Sequence, residues 1–235
     1  MELSRLPAPR GTAALFGVLG IILIGLAVPR LVSGIALAPY GETVARLGIP
    51  LVQAPMPPRS ELYAAAESRR QALSALRSAH AYAELGALYL AEARIAGFGT
   101  RNGGALLDQT TGALRASLSL SPLQPYAWTQ LALAMYLREP GNPALNRIMR
   151  LAIETAPYEP RLVERRADLG LAMWDRLDEG TREMVAGQIR LAAAHAPDAL
   201  ADAAKRYARL ATVRTMLEGN PALMRNFLSA YLRRT

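Results

Sequence analysis

Between Arg10 and Arg30 the chain runs GTAALFGVLGIILIGLAVP without one charged residue. At the helical rise this stretch covers ~28 Å, close to the ~30 Å of hydrocarbon in a bilayer. The following LVSGIAL extends the apolar run by a turn or two, with Pro29 as a kink and Arg30 able to snorkel to an interface. A secretory signal peptide is the competing reading, since Ala36-Leu37-Ala38 resembles a cleavage site. Pro39 is a poor residue immediately after such a site, and the apolar run exceeds a usual signal-peptide core. The sequence therefore predicts an uncleaved transmembrane anchor over residues 11–38. Arg5 and Arg10 precede it, whereas Arg30 and Arg46 follow, offset by Glu42. That asymmetry points residues 1–10 toward the cytoplasm and the rest of the chain outward. Gly17, Gly20 and Gly25 form no GxxxG pair and read as lipid-facing.

What lies beyond the anchor is governed by proline. Pro39, Pro50, Pro55, Pro57 and Pro58 cannot sit inside a helix, so residues 39–59 read as an extended linker. Ser60 offers an N-cap, and residues 60–95 read as one long helix or two divided near His80, ended by the glycines of GFGTRNGG at 97–104. From there helix-forming segments alternate regularly with stop signals, predicting helices over 105–120, 125–138, 143–156, 160–178, 182–195, 199–217 and 221–233. Trp128, Leu131, Ala132 and Met135 fall at i, i+3, i+4 and i+7, and Leu145, Ile148, Met149, Ala152 and Ala156 form a matching stripe. No segment alternates with period two, which argues against strands. A composition of 51% hydrophobic residues but only 6% aromatic, supplied mainly by Ala and Leu, favours helix as well. The fold class expected is all-α.

One phrase recurs. RASLSLSP at 115–122 returns as RLAIETAP at 150–157 and RLAAAHAP at 190–197, with the closing prolines 35 and 40 residues apart. A period of that size built from two helices is the mark of stacked helical hairpins. On these residues the chain resembles the tetratricopeptide-repeat (TPR) family. Tyr82, Leu85, Gly86 and Tyr89 match the first-helix pattern, and Trp128, Leu131, Ala132 and Met135 match it with Ala for Gly. Ser117, Ala152 and Ala192 fall where a small residue is needed, and Pro122, Pro157 and Pro197 on the terminal proline. Departures are about a dozen extra residues around GFGTRNGG, and Arg166 and Gly170 where Leu and Tyr are expected. The resemblance covers roughly residues 60–221 and implies a TPR-like α-solenoid of two to four repeats within a domain spanning 60–235.

The residues offer little chemistry. Cysteine is absent, which removes disulfides, thiol catalysis and thiolate metal sites. The net charge of +8 suggests nucleic acid, but from residue 61 onward 22 Lys and Arg face 17 Asp and Glu, a surplus of only five. Lys205 is the sole lysine among 27 basic residues, as coding bias toward Arg in a high-GC genome produces. His80 and His195 each lie near a helix end and show no metal-ligand spacing. Asp175, Asp178, Glu179 and Glu183 cluster at one turn, where two carboxylates could serve glycoside chemistry, but the neighbouring Arg176 and Arg182 equally suggest a salt-bridged surface. GFGTRNGG lacks the Lys-Ser/Thr of a phosphate loop and reads as a loop open to a partner. No cofactor, metal or catalytic residue is expected.

Candidate partner-binding residues are Tyr126 and Tyr158, placed in the turns between repeats, and Arg115, Arg150 and Arg190, which recur around the repeated phrase. The expectation is a membrane-anchored, non-enzymatic scaffold binding a protein partner in a bacterial envelope complex, with no nucleic acid. Anchored TPR-like proteins of this size resemble accessory proteins of exopolysaccharide synthesis and export. An assembly factor for another envelope complex, such as cytochrome maturation, and an envelope enzyme acting on polysaccharide through Asp175 and Glu183 are the alternatives.

Overall fold

A computed structural model describes residues 10–47 and 56–233. Among these the chain is all helical, with no strand. The expected cytoplasmic segment before Arg10, and Pro50 and Pro55 of the expected linker, lie outside the described residues.

Helix α1, Arg10–Leu37, contains Pro29 and is long and apolar enough over Leu15–Leu37 to cross a membrane. Ile21, Leu23 and Ile35 on it are more than half exposed. One seam of α1 is covered: Ser33 is buried and Pro29, Ala36 and Leu37 are half-buried, against helix α3, Arg59–Ala75. Between them lies α2, Gly41–Leu47, where the sequence reading expected extended linker. The difference has a tertiary cause. Leu47 and Val44 of α2 pack on Leu62, Leu85 and Leu88, and Thr43 bonds the Glu61 carboxylate.

The α1–α3 contact is polar at its centre. The Ser68 hydroxyl donates to the carbonyl of Ala36, and Arg69, 1% exposed, donates Nη1 to the carbonyl of Pro39 at 2.6 Å and Nε to Glu84 Oε2 at 3.1 Å. A buried guanidinium needs such partners, because unpaired it would cost several kcal/mol of solvation. Arg69 thereby ties the end of α1 to α3 and α4.

Among the described residues nine further α-helices follow: α4 Ala79–Ala96, α5 Arg101–Leu120, α6 Pro125–Arg138, α7 Leu145–Glu154, α8 Pro160–Met173, α9 Glu179–His195, α10 Pro197–Arg206, α11 Leu210–Leu217 and α12 Pro221–Arg233. Residues 60–95 are thus two helices, broken where Leu76 turns extended and Ser78 caps α4 by accepting from the Ala81 amide. Ser60 is no cap; it lies inside α3, which Pro58 precedes.

Other boundaries also correct the sequence reading, and the helix expected over 160–178 stops at Met173, followed by a single 3-10 turn over Trp174–Arg176 where the chain tightens into the α8–α9 connection. Residues 101–104 are not loop but the first turn of α5, because Thr100 Oγ1 accepts from the Gly103 amide at 2.9 Å. Gly103 is required there, since a Cβ would stand 2.0 Å from the carbonyl oxygen of Gly97. Helix α9 begins at Glu179 instead of 182, capped by Asp178, which accepts from the Thr181 amide at 2.8 Å. The expected single helix over 199–217 is two, interrupted at Ala208, whose φ is 54°.

Consecutive helices from α3 to α7 pack pairwise, as do α8 and α9, while α4, α6, α8 and α10 touch in series and α7 touches α9. Helix α12 returns against α9 and α10. Small residues set the closeness of the pairs. A Cβ on Gly86 of α4 would meet Leu114 of α5 at 2.8 Å, and one on Gly170 of α8 would meet Val185 of α9 at 2.4 Å. The core runs without a break from Leu114 to Ala230. Leu88, Leu107 and Leu114 are fully buried, each worth ~1.5–3 kcal/mol by area.

Candidate functional site

Among the described residues, two of the open clefts lie along the helices from α2 to α7. The first, about 480 Å³, runs between α2, α4 and α6. Val44, Ala45, Ala83, Ala87 and Ala127 give it apolar surface, with Leu123 at its edge beside the α5–α6 turn, and His80, Glu84, Gln124, Tyr126 and the buried Gln130 supply polar groups. Alanines on α4 and α6 produce the hollow, since larger side chains at those positions would fill it. Bonds within the fold hold His80, Glu84 and Tyr126: His80 Nε2 stands 3.1 Å from Glu84 Oε1, and Tyr126 Oη donates to Glu159 Oε1 at 3.0 Å. Burial, reinforced by the bond to Glu159, pushes the Tyr126 phenol above its usual range, so it stays a neutral donor. The chemistry on offer is hydrogen bonding around an apolar trough, suited to a short stretch of polypeptide.

The second cleft, about 370 Å³, opens between α5, α6 and α7. Leu118, Trp128, Leu131, Ile148 and Leu151 line it together with Arg115 and Arg147. Trp128 is otherwise part of the core, its Nε1 donating to the Pro122 carbonyl at 2.7 Å.

No family model matches the chain, and neither does any curated protein or solved structure searched.

The sequence candidates are distributed over these features unevenly. Tyr126 lines the first cleft, as the second residue of α6 instead of a turn residue. Tyr158 stands in the α7–α8 turn, 78% exposed. Arg115 lines the second cleft, and Arg190 is exposed on α9. Arg150 is occupied inside the fold: its Nη1 reaches Asp178 Oδ2 at 2.8 Å and Thr181 Oγ1 at 3.2 Å, bracing the cap of α9. The recurrence of Arg in the repeated phrase thus leads to three different environments.

The acidic turn is a structural device. Asp175 pairs with Arg209, whose hydrogen bond pulls its carboxyl below the usual range, and Asp178 is lowered by its bonds to Thr181 and then by Arg150. Glu179 and Glu183 are exposed on the first turns of α9. His80 sits at the start of α4, bound to a carboxylate and not to free carbonyls, and His195 ends α9. Among the described residues, no group of three or more metal-ligating side chains comes together.

Sequence reading missed α2 and the α4 residues His80, Ala83 and Glu84 as one wall of a cleft. Only the concentration of alanine on α4 hinted at a hollow. Arg147 was missed because it falls outside the repeated phrase.

Proposed function

We propose that this chain is a single-pass protein of the bacterial inner membrane whose TPR-like domain stands in the periplasm and holds a protein partner against the cleft between α2, α4 and α6. The observation that carries the reading is α2. This short helix of the chain itself lies against α3 and α4, and the trough beside it continues over α4 and α6 with apolar surface and hydrogen-bonding groups. The same face that accepts Val44 and Leu47 in cis offers the next stretch of surface to a helix or strand in trans. The serial contacts of α4, α6, α8 and α10, and the small residues Gly86 and Gly170 between paired helices, support a TPR-like array. Tethering such an array by α1 raises its effective concentration for other membrane-bound proteins. The resemblance to accessory proteins of exopolysaccharide synthesis and export makes that system the first to test.

The test is photo-crosslinking of the full-length protein in its membrane. A crosslinker at Ala83, inside the cleft, is expected to capture an envelope protein that one at Asn142, on the α6–α7 turn, does not. The variant Ala83→Arg, which fills the trough with a charge, is expected to abolish co-purification of that protein. Equal capture from both positions sinks the reading. A reporter enzyme fused after residue 235 that is active only in the periplasm checks the orientation.

A further inference from the structure

The way α1 packs on the helical domain fixes which end of the array faces the membrane. We infer that the turns on that end, above all the α5–α6 turn at Ser121–Gln124 with Leu123 at its tip, lie in the lipid interface as a second, peripheral membrane contact. The inference rests on the reading of α1 as a membrane span.

Helices α1 and α3 run antiparallel. Thr43 and Glu61 are bonded beyond the top of α1, Ala36 and Ser68 are bonded one step lower, and Val32 shares a groove with Gln71 and Ser74 lower still. Going down α1 toward its amino end therefore means going toward the carboxyl end of α3. From Ser68 to Leu76 is about 12 Å of helix, the same drop as from Ala36 to Val28. The α3–α4 turn, with the exposed Arg77, thus stands level with Val28 to Arg30.

This packing selects the depth of the span. Hydrocarbon reaching to Leu37 would immerse Glu67, Gln71 and Ser74, which line the α1–α3 groove. A boundary near Arg30 leaves residues 11–29, ~28 Å of uncharged helix, to fill the bilayer core. Arg30 and Arg77 then share the height of the lipid phosphates.

The other turns at that end follow from hydrogen bonds. Ser117 Oγ donates to the carbonyl of Ala79 at 2.7 Å, so the carboxyl end of α5 is level with the start of α4. Tyr126 bonds Glu159 at 3.0 Å, which brings the α7–α8 turn to the same end. Outside α1, the two most exposed large apolar side chains among the described residues are Leu123, 81%, and Tyr158, 78%, and both sit on these turns. Leu120 beside them is 43% exposed, and no charged residue occurs between Arg115 and Arg138. An uncharged turn tipped by Leu123 on the anchored end is what a bilayer interface accepts and water does not, and the α7–α8 turn adds Tyr158 beside Glu159, a pairing suited to the headgroup layer. The Trp128 bond to the Pro122 carbonyl holds the tip in place.

The chain has no cysteine, so single-cysteine variants of the full-length protein carry one label each. Leu123→Cys and Asn142→Cys, each bearing an environment-sensitive fluorophore, are reconstituted in vesicles of phosphatidylethanolamine and phosphatidylglycerol. The label at 123 is expected to lose most of its emission to lipids carrying a quencher near the headgroup end of the acyl chain and little to aqueous iodide. The label at 142, on the opposite end of the array, is expected to do the reverse. If the chain resists alkaline carbonate extraction while the label at 123 is as open to iodide as that at 142, the interfacial contact is overturned and the span stands. Release by carbonate overturns both.

Discussion

Arg166 of α8 donates Nε to Thr129 Oγ1 of α6 at 3.2 Å while the side chain is 0% exposed. Its Nη1 donates to the carbonyl of Ala156 at 2.7 Å, and its Nη2 is buried with no partner. Burial drives the guanidinium down to about 10. It remains charged at neutral pH, a charge in the core with two of its donor groups satisfied. The repeat pattern in the sequence leads one to expect Leu at this place.

Thr129→Val is expected to cost ~1–3 kcal/mol, since it leaves Nε unpaired in the core. Replacing both residues, Thr129→Val with Arg166→Leu, should recover that loss or exceed the native stability, because a buried charge is exchanged for apolar contact. Thermal unfolding of the detergent-solubilised protein checks both. A double variant less stable than the single one would show that the arginine holds α6 to α8 by more than its charge costs.

Arg69→Ala is expected to destabilise by ~1–3 kcal/mol, because it strips the half-buried Glu84 of its arginine and frees the Pro39 carbonyl. The loss should be local to the junction of α1, α2 and α3. Limited proteolysis is expected to cut first within residues 39–47, with α6 to α9 still protected; uniform cutting would contradict the coupling described for α1, α3 and α4.

Stability should fall in acid through Asp178. Its folded pKa lies below the ordinary value of 3.8, so the stability it contributes is present above that value and disappears as pH drops through the folded one. Asp178→Ala is expected to lower Tm at neutral pH and to flatten the acid side of the Tm profile. An unchanged acid slope would mean that other carboxylates carry it.

Gly170→Ala is expected to cost ~1–3 kcal/mol, because the new methyl meets Val185 and must force α8 from α9. Gly112→Ala on α5 meets nothing within 4 Å and should stabilise by about 0.5–1 kcal/mol through helix propensity alone. Chemical denaturation of the two variants side by side separates close packing from backbone entropy. Loss of stability in both would point instead to a shared sensitivity of helix geometry.

Much of this architecture is legible in single residues. Pro125, Pro160 and Pro221 begin helices where the sequence reading put them, and Ser117 is buried as a small residue at a helix contact, with the added bond to Ala79 that no pattern announces. The break at Ala208 was not legible, since neither Gly nor Pro marks it. Around it, Tyr207 reaches Asp168 and Arg209 reaches Asp175, contacts between residues 34 or more apart in sequence. Helix α2 was hidden for a similar reason: seven residues among prolines carry too weak a local preference to be read, and their burial on α3 and α4 supplies the rest.

By itself the sequence determined an all-helical chain with an apolar amino-terminal helix and a domain of proline-punctuated segments, because charge, apolar period and helix-breaking residues act over a few neighbours. The tertiary structure decided which recurring arginine is used up in the fold and which borders a cleft, and that α2 and α4 make one wall. It also decided that Pro122 and Pro157, which close two copies of the repeated phrase, come to one end of the array. Those are relations between distant helices, set by how Gly86, Gly170, Ser68 and Arg69 let their neighbours approach, and no local pattern encodes them.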